Sequence, residues 1–253
     1  MMPNSRSPQA FLPLLYAALL VLAGGLAPAQ NSAPAPGSAP PPNSAPALPA
    51  VTFTQAFPRV EPAFFSLRID SAGHAVYESR REEGQPGMPE LGEPTRIEFQ
   101  VSQASVLRIF ELARSLDYFQ GDWDFKKHRI ADSGRKTLGY SDSARTHETT
   151  YNWSENLAIQ ELTQIFQAIA NTQEAAHELD RLRRYDRLGL DQQLAHMEQL
   201  AKSGWLRELQ VITPLLEKLA ADPEIMNIAR QRAQRLLRVA ATQASAPPSA
   251  PQP

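Results

Sequence analysis

Residues 96–116, RIEFQVSQASVLRIFELARSL, change their hydrophobic period in mid-course, and that change decides the fold. Ile97, Phe99 and Val101 alternate with Arg96, Glu98 and Gln100, the period-two pattern of a strand with one buried face. From Ser102 onward the apolar positions shift to Val106, Ile109, Phe110, Ala113 and Leu116, which is helical spacing. Ser102 stands where a hydroxyl can accept an orphan amide of the first helical turn. A strand that runs straight into an amphipathic helix predicts a sheet with that helix laid across it.

The same logic extends in both directions. Upstream, Phe65, Leu67 and Ile69 alternate with Ser66 and Arg68; residues 70–73, DSAG, form a turn, and 75–80 return as a hairpin partner. Residues 82–94 hold three prolines and three glycines and read as a loop. Downstream, an aromatic-rich turn at 117–125 and a loop through Asp132 and Gly134 lead to a second hairpin. Leu138 and Tyr140 share a face of its first strand; His147, Thr149, Tyr151 and Trp153 share a face of the next. Ser154 is the expected cap of a helix carrying Leu157, Leu162, Ile165, Phe166 and Ile169.

Beyond 171 no strand pattern occurs. Ala175, Leu179 and Leu182 extend or follow the preceding helix, and Gly189 breaks the run. Leu190, Leu194, Met197 and Leu200 predict a short helix ended by Ser203 and Gly204. Leu206, Leu209, Ile212, Leu216 and Leu219 predict another, interrupted by Pro214. Asp222-Pro223 turns the chain into a last helix with Ile225, Ile228, Ala229, Ala233, Leu236 and Leu237. The expected fold class is α+β: a small antiparallel meander sheet with helices packed on one face, followed by an all-helical C-terminal segment.

The ends are of a different kind. Residues 1–10 are polar with one cation, Arg6; 11–26 are mostly apolar; Ala27 and Ala29 offer the small residues that signal peptidase cuts beside, leaving Gln30 first. The apolar stretch falls short of the roughly 20 residues that cross a hydrocarbon layer. The 20 residues that follow, NSAPAPGSAPPPNSAPALPA, have little to bury and favour extended polyproline conformers. The expected organisation is a signal peptide at 1–29, a Pro/Ala/Ser-rich disordered linker at 30–50, an α+β domain at 51–170, a helical segment at 171–241 and a disordered tail at 242–253. An exported, periplasmic or extracellular protein follows from that reading. Cysteine is absent, which excludes disulfides, thiolate chemistry and a lipid-bearing cysteine after the leader.

Residues 64–170 resemble a family of small bacterial domains of unknown function found in exported and envelope proteins, through the stretches FSLRIDSAGHAVYES, VSQASVLRIFELARSLDYF and ADSGRKTLGYSD with Gly73 and Asp132. The resemblance implies a fold and no activity. The stretch VITPLLEKLAADPEIMNIARQRAQRLLR resembles one HEAT-type helical hairpin, with an Asp-Pro turn and small residues in its second helix. Arrays of such hairpins need at least three units to bury their faces, so a helical cap on the α+β unit is expected here.

Chemistry-bearing patterns are few. The five histidines, His74, His128, His147, His177 and His196, include no pair at the i, i+4 spacing that puts two metal ligands on one helix face. Ser133-Gly-Arg-Lys136 matches the Ser-x-x-Lys of penicillin-recognising enzymes, with Ser141-Asp142-Ser143 echoing their second motif. In those enzymes the serine opens a buried helix and the motifs lie far apart; both sit on one predicted hairpin here, so chance accounts for the match. Asp117, Asp122, Asp124 and Asp132 crowd one loop with Trp123 and His128, and this is the nearest approach to a site. A net charge of −2 lacks the positive excess that displaces counterions from phosphate, which argues against nucleic-acid binding. No catalytic residue, cofactor or metal is assigned from sequence. The expected function is a non-enzymatic binding or scaffolding protein of the cell envelope with a protein partner and no stable membrane insertion after cleavage. The alternative is a small envelope hydrolase using the loop 117–135.

Overall fold

The computed structural model describes residues 48–58, 60–80 and 95–245. The expected signal peptide, the linker up to 47, the loop at 82–94 and the tail beyond 245 lie outside the described residues. Six antiparallel strands form one sheet: β1 (Ala50–Ala56), β2 (Phe64–Asp70), β3 (His74–Arg80), β4 (Thr95–Gln100), β5 (Arg135–Ser141) and β6 (Thr146–Tyr151), in the spatial order β4-β3-β2-β1-β5-β6. Five α-helices accompany it among the described residues: α1 (Gln103–Ser115), α2 (Leu157–Tyr185), α3 (Leu190–Lys202), α4 (Thr213–Ala221) and α5 (Asn227–Ser245). The α+β class expected from the sequence is the fold observed.

The sheet has one covered face and one polar face, as its alternation requires. Val51, Phe53, Leu67, Ile69, Tyr77, Leu138 and Tyr140 pack with Val106, Ile109 and Leu112 of α1 and Ile159, Leu162, Phe166 and Ile169 of α2. Phe53 and Phe166 stack with ring centroids 5.4 Å apart. Each such side chain, taken wholly from water, contributes about 1.5–3 kcal/mol. On the other face, neighbouring strands carry Thr52, Thr54, Ser66, Arg68, Thr137 and Thr150, and the hydroxyls of Thr137 and Thr150 lie 2.9 Å apart.

Strand β1 is absent from the sequence reading, and it is the strand on which the sheet is organised. It pairs with β2 on one side and β5 on the other, Phe53 lying opposite both Leu67 and Leu138. It thereby joins the two hairpins that the sequence places separately. Its first residue, Ala50, assigned to the end of the linker, is fully buried and belongs to the sheet.

Several local expectations shift for clear reasons. Ser102 caps α1, accepting from the Ser105 amide at 3.3 Å. The cap of α2 is Asn156, whose Oδ1 accepts from the amides of Ala158 and Ile159, while Ser154 only bonds the Asn156 amide. Leu157 therefore opens the helix on its outer side and is 79% exposed. Trp153 lies beyond the end of β6 and does not share its buried face. Pro214 starts α4 and does not interrupt a longer helix, because a first-turn position needs no amide hydrogen. Ile225 is buried ahead of α5, and Ile228 faces out at 49% exposure.

The boundary expected at 170 falls inside α2, which runs unbroken through that point. Its first half lines the sheet core; Ala175, Leu179 and Leu182 of its second half join Leu194, Met197, Leu206, Leu216, Leu236 and others in a second core. Between them the connection after α3 is laid along α2. The Arg207 amide donates to Ala168 O at 3.3 Å, Thr172 Oγ1 donates to Arg207 O at 2.7 Å, and Asn171 Nδ2 donates to Trp205 O at 3.2 Å. Helix α5 continues past 241 because the Gln243 amide group donates to Leu206 O at 3.0 Å and accepts from the Leu209 amide at 3.3 Å.

Glu208 completes this joint. It adopts a left-handed backbone (φ 61°), is almost wholly buried, and delivers its carboxylate to the amino terminus of α1. Oε2 accepts from the Ser102 amide at 2.6 Å and from Gln210; Oε1 accepts from Ser102 Oγ at 2.8 Å and from Ser105 Oγ. A negative charge there meets unsatisfied amides and the positive end of the helix dipole. Replacing Glu208 with Ala leaves those donors buried and empty, and urea denaturation is expected to show a loss of about 3 kcal/mol.

Candidate functional site

The loop between α1 and β5 begins with an unusual turn. Asp117, Tyr118 and Phe119 all have positive φ, at 48°, 54° and 70°, a conformation that costs a non-glycine residue about 1 kcal/mol or more. Packing holds it in place. Phe119 is fully buried, Tyr118 lies 4.5 Å from the ring of Tyr140, and the Arg145 guanidinium sits 4.1 Å over Tyr118. Arg145 comes from the β5–β6 turn, where Asp142 Oδ1 accepts from the amides of Ala144 and Arg145 and Oδ2 accepts from Tyr140 Oη. The Ala144 amide, followed by Tyr140 and Arg145, holds the Asp142 carboxyl down at about 2. Ser141-Asp142-Ser143 is thus turn chemistry.

Past the turn, the aspartates of the loop take separate places. Asp117 is exposed. Asp122 pairs with Lys126, whose ammonium draws its pKa below the ordinary carboxylate value. Asp124 Oδ1 accepts from the Asn152 amide at 2.9 Å, and Asp132 Oδ1 accepts from the Gly134 amide at 3.0 Å. Asp124 and Asp132 do line one open groove of about 480 Å³ with Phe57, Arg135, Tyr151 and Asn152, at the end of the sheet where β1 leaves and β5 enters. Asp122 and His128 are not among its walls.

Lys136 is the buried charge of this region. On β5 it lies on the face of Leu138 and Tyr140, so its stem points into the core and its ammonium emerges at the sheet end. The ammonium donates to Asn152 O at 2.8 Å, Ser133 O at 2.9 Å, Ser133 Oγ at 3.0 Å and Gly134 O at 3.2 Å. Burial pushes its pKa below the usual lysine value, and the charge of Asp132 opposes that shift. Ser133 Oγ also lies 2.9 Å from Asn152 Oδ1, the acceptor to which its proton can go. The Ser133 and Gly134 amides are engaged by Asn152 and Asp132. Ser133 and Lys136 therefore meet as a clamp: the lysine donates among carbonyl oxygens, and the neighbouring amides are already bonded to Asn152 and Asp132.

An aromatic cluster flanks the groove. The Phe125 amide donates to Trp153 O at 2.9 Å, which lays the loop alongside the chain leaving β6. The Phe125 ring then meets Trp153 edge-on at 5.1 Å and His128 edge-on at 4.7 Å. Trp153 remains 42% exposed. A second hollow of about 520 Å³ runs beside them, lined by residues 122–127 and 154–156. Sequence reading named the aspartates and Trp153 but not the pairing of Phe125 with Trp153, because the contact spans 28 residues and depends on a backbone hydrogen bond.

The histidines stay apart. His74 is 3.4 Å from Glu98 on the polar face of the sheet, His128 is against Phe125, and His147, His177 and His196 lie on β6, α2 and α3. Among the described residues no group of three or more His, Asp or Glu stands where it could hold a metal ion, and no helix is long and apolar enough to cross a membrane. No protein-family model matches the chain, and no curated protein matches it.

Two variants test these assignments. Lys136→Met keeps the stem and removes the donors; chemical denaturation is expected to show a loss of about 3 kcal/mol. Asp142 has a folded pKa below its unfolded one, so its stabilisation is complete above about pH 4 and fades as pH falls through about 2. Asp142→Ala is accordingly less stable than the parent at neutral pH, and the gap closes between those limits in an acid titration of thermal unfolding.

Proposed function

We propose that this chain is a non-enzymatic binding or scaffolding protein of the cell envelope, exported by its amino-terminal leader and contacting a protein partner through the aromatic surface at the end of the sheet. One observation carries the reading: Trp153 remains 42% exposed against Phe125, which also meets His128, with Leu157 79% exposed four residues on, while Asp122, Asp124 and Asp132 of the same loop are engaged in building it. A tryptophan that is half outside, supported edge-on by a second ring, has the rigid, amphipathic character of an interface anchor. Lys126, Lys127 and Glu155, with a Lys127–Glu155 ion pair of 2.7 Å, supply a polar rim.

The leader and the Pro/Ala/Ser-rich stretch fit the same reading, because a spacer lets a folded head reach a partner away from the export site. The resemblance of residues 64–170 to domains of exported proteins points the same way. The engagement of Asp122, Asp124 and Asp132 with Lys126 and backbone amides favours binding over hydrolysis by that loop.

The test uses a photo-crosslinking amino acid at position 157 of the full chain in intact cells. Discrete crosslinked species are expected from 157 and not from 192 on the exposed side of α3, and they are expected to vanish with Trp153→Ser. Species identical at both positions, or none at 157, contradict the proposal. Amino-terminal sequencing of the envelope fraction is expected to start at Gln30; an intact Met1 in the cytosol contradicts export.

A further inference from the structure

Helix α5 carries Arg230, Arg232, Arg235 and Arg238 and no acidic residue, so its cations must find partners elsewhere. Two do. Arg232 bridges Asp191 at 2.6 Å and Glu198 at 2.7 Å, and Arg235 Nε donates to Glu198 Oε1 at 2.6 Å. Both oxygens of Glu198 are thereby occupied, and the two guanidiniums hold this carboxyl below its ordinary pKa against the opposing effect of burial.

Next to this network lies a groove of about 340 Å³ between α3 and α5. Leu236 and Val239 give it an apolar base, and Lys202, Arg235, Arg238 and Thr242 line it with Glu198. Lys202 and Arg238 are exposed and have no acidic partner among the described residues. An ammonium offers three donors and a guanidinium five, and Arg235 uses only those facing Glu198. The groove thus gathers three cations around one carboxylate that is already neutralised, with the central guanidinium fixed in orientation.

We infer that the α3–α5 groove is a second binding site, for an acidic peptide segment of a protein partner, whose carboxylates reach Lys202, Arg235 and Arg238 while its apolar atoms rest on Leu236 and Val239. Charge complementarity and the apolar base select this occupant. A long nucleic acid would need an extended basic surface, and the chain as a whole is acidic. A lipid surface would need large apolar side chains beside the cations. The one exposed on α5 is Ile228, ten residues before Arg238 and about 15 Å along the helix, and Trp205, 40% exposed, is a single ring on the segment that meets α5 at Gln243. The site stands independently of the aromatic surface and of export.

The probe is a fluorescein-labelled hexa-glutamate peptide, titrated into the full chain at low ionic strength with anisotropy as the readout. Saturable binding that weakens with added salt is expected. The Lys202→Glu/Arg238→Glu double variant is expected to bind at least ten-fold more weakly, and Lys218→Glu, on α4 outside the groove, to bind as the parent does. Circular dichroism of each variant establishes that it is folded. Absence of saturable binding up to millimolar peptide overturns the inference, as does equal binding by the double variant. Binding to phosphatidylglycerol vesicles that the double variant loses, with the peptide ignored, overturns it in favour of a membrane surface.

Discussion

The molecule depends on one shared helix. Residues Leu157–Tyr185 form a single rod whose early turns close the sheet core and whose late turns seed the helical core. A 29-residue helix is about 44 Å long and cannot be buried against a six-stranded sheet alone. Its second half therefore needs the cover that α3, α4 and α5 supply. Neither core can be removed without leaving an apolar stripe of α2 in water.

At the joint the apolar cores give way to a polar seam that fixes how the layers meet. Thr172, Asn171 and Ala168 on α2 take up the backbone of 205–207, and Glu208 then reaches α1. Such a seam adds specificity more than net stability, since every group in it gives up water to make its bonds. The left-handed backbone at Glu208 follows from the geometry of this reach, as the left-handed turn at 117–119 follows from the burial of Phe119 and the stacking of Tyr118. In both places tertiary contacts outweigh local preference.

That competition explains what the sequence discloses. Strands β2 to β6 and helices α1 and α3 are legible because their periodicity is strong and their caps or breakers are local, as with Ser102, Gly73 and Gly189. Strand β1 carries a brief Val51-Thr52-Phe53-Thr54 alternation but follows a proline-rich run, and its importance lies in joining β2 to β5, whose partners stand 79 to 91 residues away. The split of 206–219 into an irregular segment and α4 depends on Glu208 meeting residues more than a hundred positions earlier. For the candidate site, composition identifies the aspartates and aromatics of 117–135 as a cluster in sequence, yet only the fold shows that Asp124 and Asp132 accept backbone amides, that Asp122 pairs with Lys126, and that Phe125 meets the exposed Trp153.

The joint carries the aromatic surface at the sheet end and the cationic groove of the helical end on one compact unit, so the two sites proposed above share one scaffold. The most direct test of that unity is equilibrium urea unfolding read from two sets of tryptophans. Trp123 and Trp153 lie with the sheet and Trp205 with the helical end, so Trp205→Phe and Trp123→Phe/Trp153→Phe variants isolate each signal. The two transitions are expected to coincide in midpoint and slope once corrected for the stability of each variant. A helical end that unfolds at lower urea while the sheet signal stays native contradicts the shared-helix account.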